Sequence, residues 1–205
     1  MKIGIIGGTF DPPHFGHLIP VDQAVKELNL SEVLYMPAYI PPHKVSNQVT
    51  NPYHRTAMLA LAIQHYPKYK LFPYELAKGK VSYTVETILE LKSQLSSDHG
   101  IYFIIGTDSF LEIDTWHRYE DLIQLCNFII INRGTTDTEL NEKLKFLEST
   151  LQLNLKDRFH FVSNQIFPIS STEIRAAAAS GESLKGLVPE EVANYIQRHG
   201  LYQRR

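Results

Sequence analysis

Two histidines, His14 and His17, stand in the segment GGTFDPPHFGH, between a short apolar run and a stretch with helical spacing. This pattern predicts that a strand ends just before them and that a helix begins with them. The start of such a helix attracts anions, and imidazole rings can donate hydrogen bonds to phosphate oxygens. Either histidine alone could merely satisfy a loop carbonyl, but the pair at this place favours a phosphate-binding site.

Three other motifs do not fit this segment. Its glycines lack the G-x-G-x-x-G spacing of a dinucleotide-binding turn, and Gly16 is followed by His17 and Leu18 instead of the Lys-Ser/Thr of a P-loop. A zinc site would need more than two histidines, and the sequence has neither an HExxH motif nor a set of cysteines. The sequence therefore predicts no metal ligands here.

A second candidate lies far along the chain, in the segment ISSTEIR. Ser170, Ser171 and Thr172 precede an alanine-rich run, so hydroxyls and unpaired backbone N–H groups gather at a predicted helix start. Arg175 follows one turn into that helix. The segment could be an ordinary N-cap with a surface arginine, and it could equally hold a phosphate group.

Two further segments carry polar or aromatic residues that could bind a ligand. PPHK places His43 and Lys44 in a long polar loop, where Lys44 could supply a positive charge or could simply be solvated. GTDSFLEIDTW follows an apolar strand, so Asp108 could accept hydrogen bonds from ribose hydroxyls. Trp116 could stack on a planar ring or belong to the core.

Strand and helix patterns alternate along the chain. Strands are predicted at KIGII, EVLYMP, KLFPY, IYFIIG, CNFIIIN and FHFV. Helices are predicted over LIPVDQAVKELNL, YHRTAMLALAIQHY, SYTVETILELKSQL (with Ser and Thr as caps), the end of TDSFLEIDTWHRYEDLIQL, residues 138–153, STEIRAAAAS and PEEVANYIQRHG. The alternation predicts an α/β fold with a doubly wound parallel sheet, in one domain over residues 1–205 that ends in C-terminal helices. Ligands bind such sheets beyond the carboxyl ends of the strands.

Composition limits the classes of partner. The formal net charge of −2 excludes a broad basic surface for nucleic acid. Cys126, the single cysteine, has apolar neighbours that favour core packing over a reactive thiol. The amino terminus lacks the apolar region of a secretory signal, and no apolar run reaches the about 18 residues that cross a bilayer. We therefore expect a cytoplasmic protein without membrane or nucleic-acid partners.

Taken together, these segments resemble the nucleotidyltransferase superfamily marked by an HxGH motif, and within it the bacterial nicotinate-nucleotide adenylyltransferases. The resemblance covers nearly the whole chain, through GGTFDPPHFGH, PPHK, SYT, GTD, Trp116 and ISSTEIR. It implies a Rossmann-like nucleotidyltransferase fold. It also implies a reaction in NAD biosynthesis, in which nicotinate mononucleotide attacks the α-phosphorus of ATP to give deamido-NAD and pyrophosphate, with Mg²⁺ accompanying ATP.

The resemblance assigns roles at the ATP side. His14 and His17 would contact the α- and β-phosphates, with His17 as the main stabiliser of the transition state. Lys44 and Arg175 would act beside them as the other catalytic residues and hold the leaving pyrophosphate. The remaining ATP-binding residues would be Gly8, Thr9, Phe10, Gly106, Asp108, Ile169, Ser171 and Thr172.

The nicotinate nucleotide would be held by Lys44, Thr84, Asp108, Trp116 and His117. We expect a preference for the nicotinate over the nicotinamide form, since a ring carboxylate is the easier group to select. The chain departs from its relatives after NFIII, where many carry Arg-Pro-Gly and this chain has Arg133 followed by Gly and Thr. That departure weakens the prediction that Arg133 contacts adenosine.

Two alternatives remain open from the sequence. Phosphopantetheine adenylyltransferases are similar at the amino terminus, but they usually have Thr at the position of His14 and a shorter chain. A non-catalytic nucleotide-binding module on the same fold would not need the two histidines, Lys44 and Arg175 together. A homo-oligomer is compatible with the sequence, which does not specify the oligomeric state.

Overall fold

The computed structural model describes residues 1–39, 49–95, 98–162 and 167–203. Their strands are β1 (Lys2–Gly8), β2 (Glu32–Pro37), β3 (Tyr69–Leu71), β4 (Gly100–Gly106), β5 (Asn127–Ile131) and β6 (Phe159–Val162). They lie in one sheet in the order β3-β2-β1-β4-β5-β6, which is the doubly wound order. Strand β4 pairs in parallel with β1 and β5, and β5 with β6. The predicted α/β fold is confirmed.

The helices of these residues are α1 (Phe15–Leu28), α2 (Pro52–Ile63), α3 (Tyr74–Lys78), α4 (Thr84–Gln94), α5 (Thr107–Leu111), α6 (Tyr119–Leu125), α7 (Asp137–Leu151), α8 (Ser171–Ser180) and α9 (Glu190–Arg198). Two of them were not predicted. Helix α3 is too short to show a period, and α5 begins directly after β4 in the polar sequence TDSF. The long loop predicted after β2 lies largely in residues 40–48, outside the described residues.

Packing divides the chain into two compact units. Unit 1 comprises Met1–Ile6, Pro20–Val33 and Tyr83–Ile166, and unit 2 comprises Gly7–Ile19, Leu34–Ser82 and Phe167–Arg205. Strands β1 and β2 and helix α1 each contribute residues to both units. The single domain expected over residues 1–205 stays a prediction.

The core of unit 1 forms around β4 and β5, whose apolar runs are buried on both faces, as parallel strands require. The rings of Phe103 and Phe128 meet edge to face at 6.3 Å, and Phe128 stacks on Phe159 at 4.9 Å. Cys126 is buried beside them, and burial raises the pKa of its thiol to about 12. The interpretation of Cys126 as a core residue, and not a reactive thiol, is confirmed.

A helix crosses a bilayer only if it has about 20 mostly apolar residues. Within the described ranges, none of the helices combines the length and apolar character needed to cross a bilayer.

Candidate active site

The motif loop, residues 9–14, joins β1 to α1 in unit 2. Phe10 adopts a left-handed backbone conformation with φ of 49° and is 2% exposed. Its ring lies over Gly8, where an added Cβ would come within 3.0 Å of the Phe10 ring. A side chain at position 8 would therefore press on the buried Phe10 ring, which would have to shift to admit it.

The predicted pair of histidines is brought together at the start of α1. The ring centroids of His14 and His17 are 3.7 Å apart, and the His14 backbone N–H donates to His17 Nδ1 at 3.3 Å. The His17 N–H in turn donates to the His14 carbonyl oxygen at 2.8 Å. Because Nδ1 of His17 accepts a hydrogen bond, the neutral ring carries its proton on Nε2, which makes Nε2 a donor.

The glycine between the two histidines has a steric role. A Cβ on Gly16 would lie 3.0 Å from both Cε1 and Nδ1 of the His14 ring, which is tighter than ordinary packing. It would also lie 3.5 Å from the carbonyl oxygen of Ile169. The His-x-Gly-His spacing thus allows the His14 ring, in a residue that is 5% exposed, to lie against the first turn of the helix.

Two tyrosines brace that first turn. Tyr35 donates its hydroxyl to the His17 carbonyl oxygen at 3.0 Å, and Tyr69 donates to the Leu18 carbonyl oxygen at 3.3 Å. Pro20 lies inside α1 and has no N–H to donate to the Gly16 carbonyl oxygen. The two tyrosine hydroxyls bind the carbonyl oxygens of the next two residues and so help to hold the backbone that carries His17.

Arg55 is a structural residue of the site that the sequence patterns did not reveal. It is fully buried on α2 and donates to main-chain carbonyl oxygens at 2.7–3.0 Å, those of Thr9, Ala38, Tyr39 and Thr50. Burial lowers the pKa of the guanidinium, while the charge of Asp11 opposes that shift. One sequence signal was available: Arg55 shares the face of α2 that buries Met58, Leu59 and Ala62.

The remote ISSTEIR segment contacts the motif loop, as the phosphate-site hypothesis requires. Ser171 donates its hydroxyl to the Pro12 carbonyl oxygen at 3.0 Å, and Arg175 Nη1 donates to the Asp11 carbonyl oxygen at 2.8 Å. Arg175 Nη2 also donates to the Thr172 hydroxyl at 3.3 Å. The N-cap interpretation holds as well, because Ser170 caps α8 through a capping box with its Glu at the third position.

A second group of predicted residues meets in unit 1, after β4 and β5. Arg133 Nη1 lies 3.4 Å from Asp108 Oδ2, with side chains 49% and 62% exposed respectively. The Arg133 backbone N–H donates to the hydroxyl of buried Thr107 at 3.2 Å. A Cβ on Gly106 would overlap the Asp108 carboxylate and lie 2.8 Å from Arg133 Nε. Glycine at position 106 therefore leaves room for this ion pair.

The residues predicted for the nicotinate end also lie in unit 1. Trp116 is half-buried, with its ring edge to face on Phe103 at 6.2 Å. His117 is exposed, and its ring lies 4.3 Å from that of Tyr83, a residue the predictions did not include. Thr84 is the first residue of α4, but the N-cap is Tyr83 and has no side-chain cap bond. The prediction that Ser and Thr cap this helix is wrong.

Some candidates cannot be placed. Lys44 and His43 lie in residues 40–48, outside the described part of the chain. Among the residues that the structure describes, no group of three or more His, Cys, Asp or Glu side chains is arranged to hold a metal ion.

The chain is similar to known proteins over nearly its whole length. A family model described as cytidylyltransferase-like matches residues 5–177. A probable nicotinate-nucleotide adenylyltransferase of Thermoanaerobacter sp. is 36% identical, over 100% of this chain and 95% of that protein. One named in the same way from Desulfitobacterium hafniense is 38% identical over 98% and 96%.

Solved structures extend the similarity to the fold. A Plasmodium falciparum nicotinic acid mononucleotide adenylyltransferase complexed with NaAD has a TM-score of 0.76 at 24% identity, covering 98% of this chain and 97% of that one. The same enzyme complexed with APC has a TM-score of 0.75 at 22% identity, with coverage of 98% and 96%. At these identities the likeness concerns the fold.

Proposed function

The chain belongs to the cytidylyltransferase-like family and, within it, to the nicotinate-nucleotide adenylyltransferases, and from this membership we propose how its residues carry the reaction. An oxygen of the nicotinate mononucleotide phosphate bonds to the α-phosphorus of ATP, and the bond from that phosphorus to the β-phosphate oxygen breaks. The products are deamido-NAD and pyrophosphate, and the reaction serves NAD biosynthesis. The observation that carries the proposal is the His14–His17 pair at the start of α1, whose ring centroids lie 3.7 Å apart.

The attacking group needs no general base. A nucleotide phosphate has its second pKa near about 6, so it is largely dianionic at neutral pH. The barrier lies in bringing two anions together and in stabilising the charge that grows on the α-phosphate oxygens. Positioned N–H donors meet both needs.

His17 is proposed as the main donor to the transition state. With Nδ1 accepting from the His14 backbone, the Nε2–H group can donate to an α-phosphate oxygen. His14 adds a second imidazole with its ring centroid 3.7 Å away, which is proposed to contact the β-phosphate. The backbone of Gly8, Thr9 and Phe10 lines the same pocket in this proposal.

The motif loop also keeps negative oxygen atoms from facing the polyphosphate. The carbonyl oxygens of Thr9, Asp11 and Pro12 each accept a hydrogen bond, from Arg55, Arg175 and Ser171 respectively. Carbonyls satisfied in this way cannot turn towards an anionic ligand without losing a donor. This arrangement supports a phosphate site at the loop.

The leaving pyrophosphate is proposed to bind at the start of α8. The N–H groups of Ser171 and Thr172 belong to the first helical turn, which has no preceding carbonyls to accept them. Arg175 contributes the N–H groups that remain beyond its bonds to Asp11 and Thr172, and Lys44 a further charge. Ile169 lies next to Gly16 and completes the ATP side.

The groups in unit 1 are proposed to recognise the rest of the two substrates. Asp108 would accept hydrogen bonds from ribose hydroxyls above Gly106, where its carboxylate is exposed. Trp116, His117 and Thr84 would receive the nicotinate ring and its carboxylate. The half-buried indole offers a face or edge to a planar ring, and Thr84 stands at the start of a helix.

Magnesium is proposed to enter with ATP as the Mg-ATP complex. Asp11, the acidic residue of the motif loop, is engaged by Thr50 and Tyr202, so its carboxylate is not available as a metal ligand. Mg²⁺ is commonly held by substrate phosphates and waters. Bound in that way, it neutralises charge on the polyphosphate.

The location, domain organisation and partners of the protein are proposed from its sequence. We place the enzyme in the cytoplasm as one nucleotidyltransferase domain, without nucleic-acid or membrane partners and with a homo-oligomer allowed. The net charge of −2 supports the absence of a nucleic-acid partner.

The test compares acceptor nucleotides. Pyrophosphate release is measured with Mg-ATP and, separately, nicotinate mononucleotide, nicotinamide mononucleotide and phosphopantetheine. We expect the highest kcat/KM with nicotinate mononucleotide. Faster turnover of the nicotinamide form would change the proposed preference, and faster turnover of phosphopantetheine would replace the proposed function with that of the neighbouring family.

A further inference from the structure

The carboxylate of Asp11 is buried inside the motif loop and does not face solvent. Asp11 is 4% exposed, and its Oδ2 accepts from the Thr50 backbone N–H at 3.1 Å. Its Oδ1 accepts from the hydroxyl of Tyr202 at 2.7 Å. A buried carboxylate needs such donors, because an unsatisfied charge is costly away from water. Tyr202 is thus one of the donors that allow Asp11 to remain in the loop.

Tyr202 reaches Asp11 through a specific ending of the C-terminal helix. After α9, the Leu201 N–H donates to the Ile196 carbonyl oxygen at 3.0 Å, and Gly200 has a φ of 59°. This turn reverses the chain in the manner of a helix C-cap. Tyr202 itself has a φ of 66°, which a bulky residue keeps only when its surroundings fix it.

The hydroxyl is suited to be a permanent donor. Burial, and then the charge and hydrogen bond of Asp11, raise the pKa of Tyr202 well above its ordinary value. The phenol therefore stays protonated at any physiological pH, and the carboxylate keeps its partner.

We infer that Tyr202 is a positioning residue for the adenylyl transfer, acting through Asp11 to hold the loop that carries His14. The inference rests on the proposed function. The carbonyl oxygen of Asp11 also accepts a hydrogen bond from Arg175. Asp11 therefore connects Tyr202 with two residues proposed to bind the polyphosphate, Arg175 and, through the motif loop, His14. Loss of the Tyr202 hydroxyl should therefore increase the mobility of Asp11 and of the whole motif loop, which ends at His14.

The experiment compares Tyr202→Phe with a matched control, Tyr195→Phe. Tyr195 also lies in the C-terminal region, and its hydroxyl is hydrogen-bonded to His54 at 2.9 Å. Within the described part of the chain, that hydroxyl makes no hydrogen bond to the motif loop. We expect Tyr202→Phe to lower kcat by about tenfold, since it removes a hydrogen bond to a charged group. Tyr195→Phe should stay within about twofold, with melting temperatures lowered similarly in both.

Two further measurements test whether Tyr202 acts through Asp11. In a double-mutant cycle with Asp11→Asn, the double variant should be about as slow as Asp11→Asn alone. Amide hydrogen exchange of residues 9–17 should quicken in Tyr202→Phe and not in Tyr195→Phe, without any substrate present. Unchanged kcat and exchange in Tyr202→Phe, equal losses in both tyrosine variants, or additive losses in the cycle would overturn the inference.

A failure of the proposed function would look different. In that case the wild-type protein would not release pyrophosphate with nicotinate mononucleotide, while the exchange measurement would still report whether Tyr202 fixes the loop.

Discussion

The motif loop of unit 2 and the Asp108–Arg133 pair of unit 1 are fixed in opposite ways. The motif loop is held by four side-chain donors, one fully buried and three half-buried: Arg55, Ser171, Arg175 and Tyr202 each bond to it. Asp108 and Arg133 are about half exposed and meet across 3.4 Å above a glycine. The first region is set before any ligand binds, whereas an exposed ion pair of this kind contributes little and can rearrange.

This difference suggests a division of labour. Preorganised donors stabilise charge in a transition state because they need not reorganise as the reaction proceeds. Exposed groups suit the recognition of substrate, where they exchange water for ligand. Changes in the motif loop should therefore lower kcat or stability, while changes around Asp108 should mainly raise KM.

The largest effect is expected from His17→Ala. Loss of the transition-state donor should lower kcat on the order of a hundredfold or more. Equilibrium binding of ATP should change far less, as the start of α8 remains. Steady-state pyrophosphate release and ATP titration measure the two quantities, and a kcat near that of the wild type would remove His17 from its central role.

Arg55→Met tests whether buried donors hold the motif loop. Four carbonyl oxygens would lose the donor that a fully buried guanidinium supplies, so the free energy of unfolding should fall by about 2 kcal/mol. Arg158→Met is the matched control, because among the described residues the Arg158 side chain donates to one carbonyl oxygen, that of Gln124. Urea denaturation compares them, and equal losses would show that Arg55 contributes no more than a surface arginine.

Two glycine variants compare the histidine region of unit 2 with the Asp108–Arg133 pair of unit 1. Gly16→Ala would press on the His14 ring, so kcat should fall by about tenfold with little change in the KM for Mg-ATP. Gly106→Ala would displace Asp108 and Arg133, so the KM for Mg-ATP should rise by about tenfold with kcat nearly kept. The same pattern in both variants would contradict the division of labour.

Arg133→Ala should have the smallest effect. Its ion pair with Asp108 is exposed and long, and pairs of this kind are worth at most about 1 kcal/mol, which diminishes in salt. The KM for Mg-ATP should therefore rise by less than about fivefold. A rise well beyond that, insensitive to salt, would indicate that Arg133 contacts adenosine.

Local patterns predicted much of the fold and part of the site. The apolar runs of β4 and β5 and the apolar face of α2 were visible because burial leaves a period in the sequence. Helix α5 was not, since TDSF has no such period. The histidine pair was found because its chemistry lies within four residues, and ISSTEIR because a helix start has its own signature.

The supporting residues were beyond such patterns. Tyr202 and Asp11 come from opposite ends of the chain, and the local sequence around either residue does not predict their contact. Arg55 could have been suspected only from its place on a buried helix face. A contact that depends on the completed fold leaves no period and no motif behind it.

The bonds of Arg55 also bear on chain entropy. The guanidinium fixes Tyr39 and Thr50, so the two ends of the intervening segment are already held at a set separation. Bringing the two ends of a segment together costs conformational entropy, and the hydrogen bonds of one buried guanidinium offset part of that cost here. The same guanidinium binds the Thr9 carbonyl oxygen, so both ends of this segment and the motif loop share one donor.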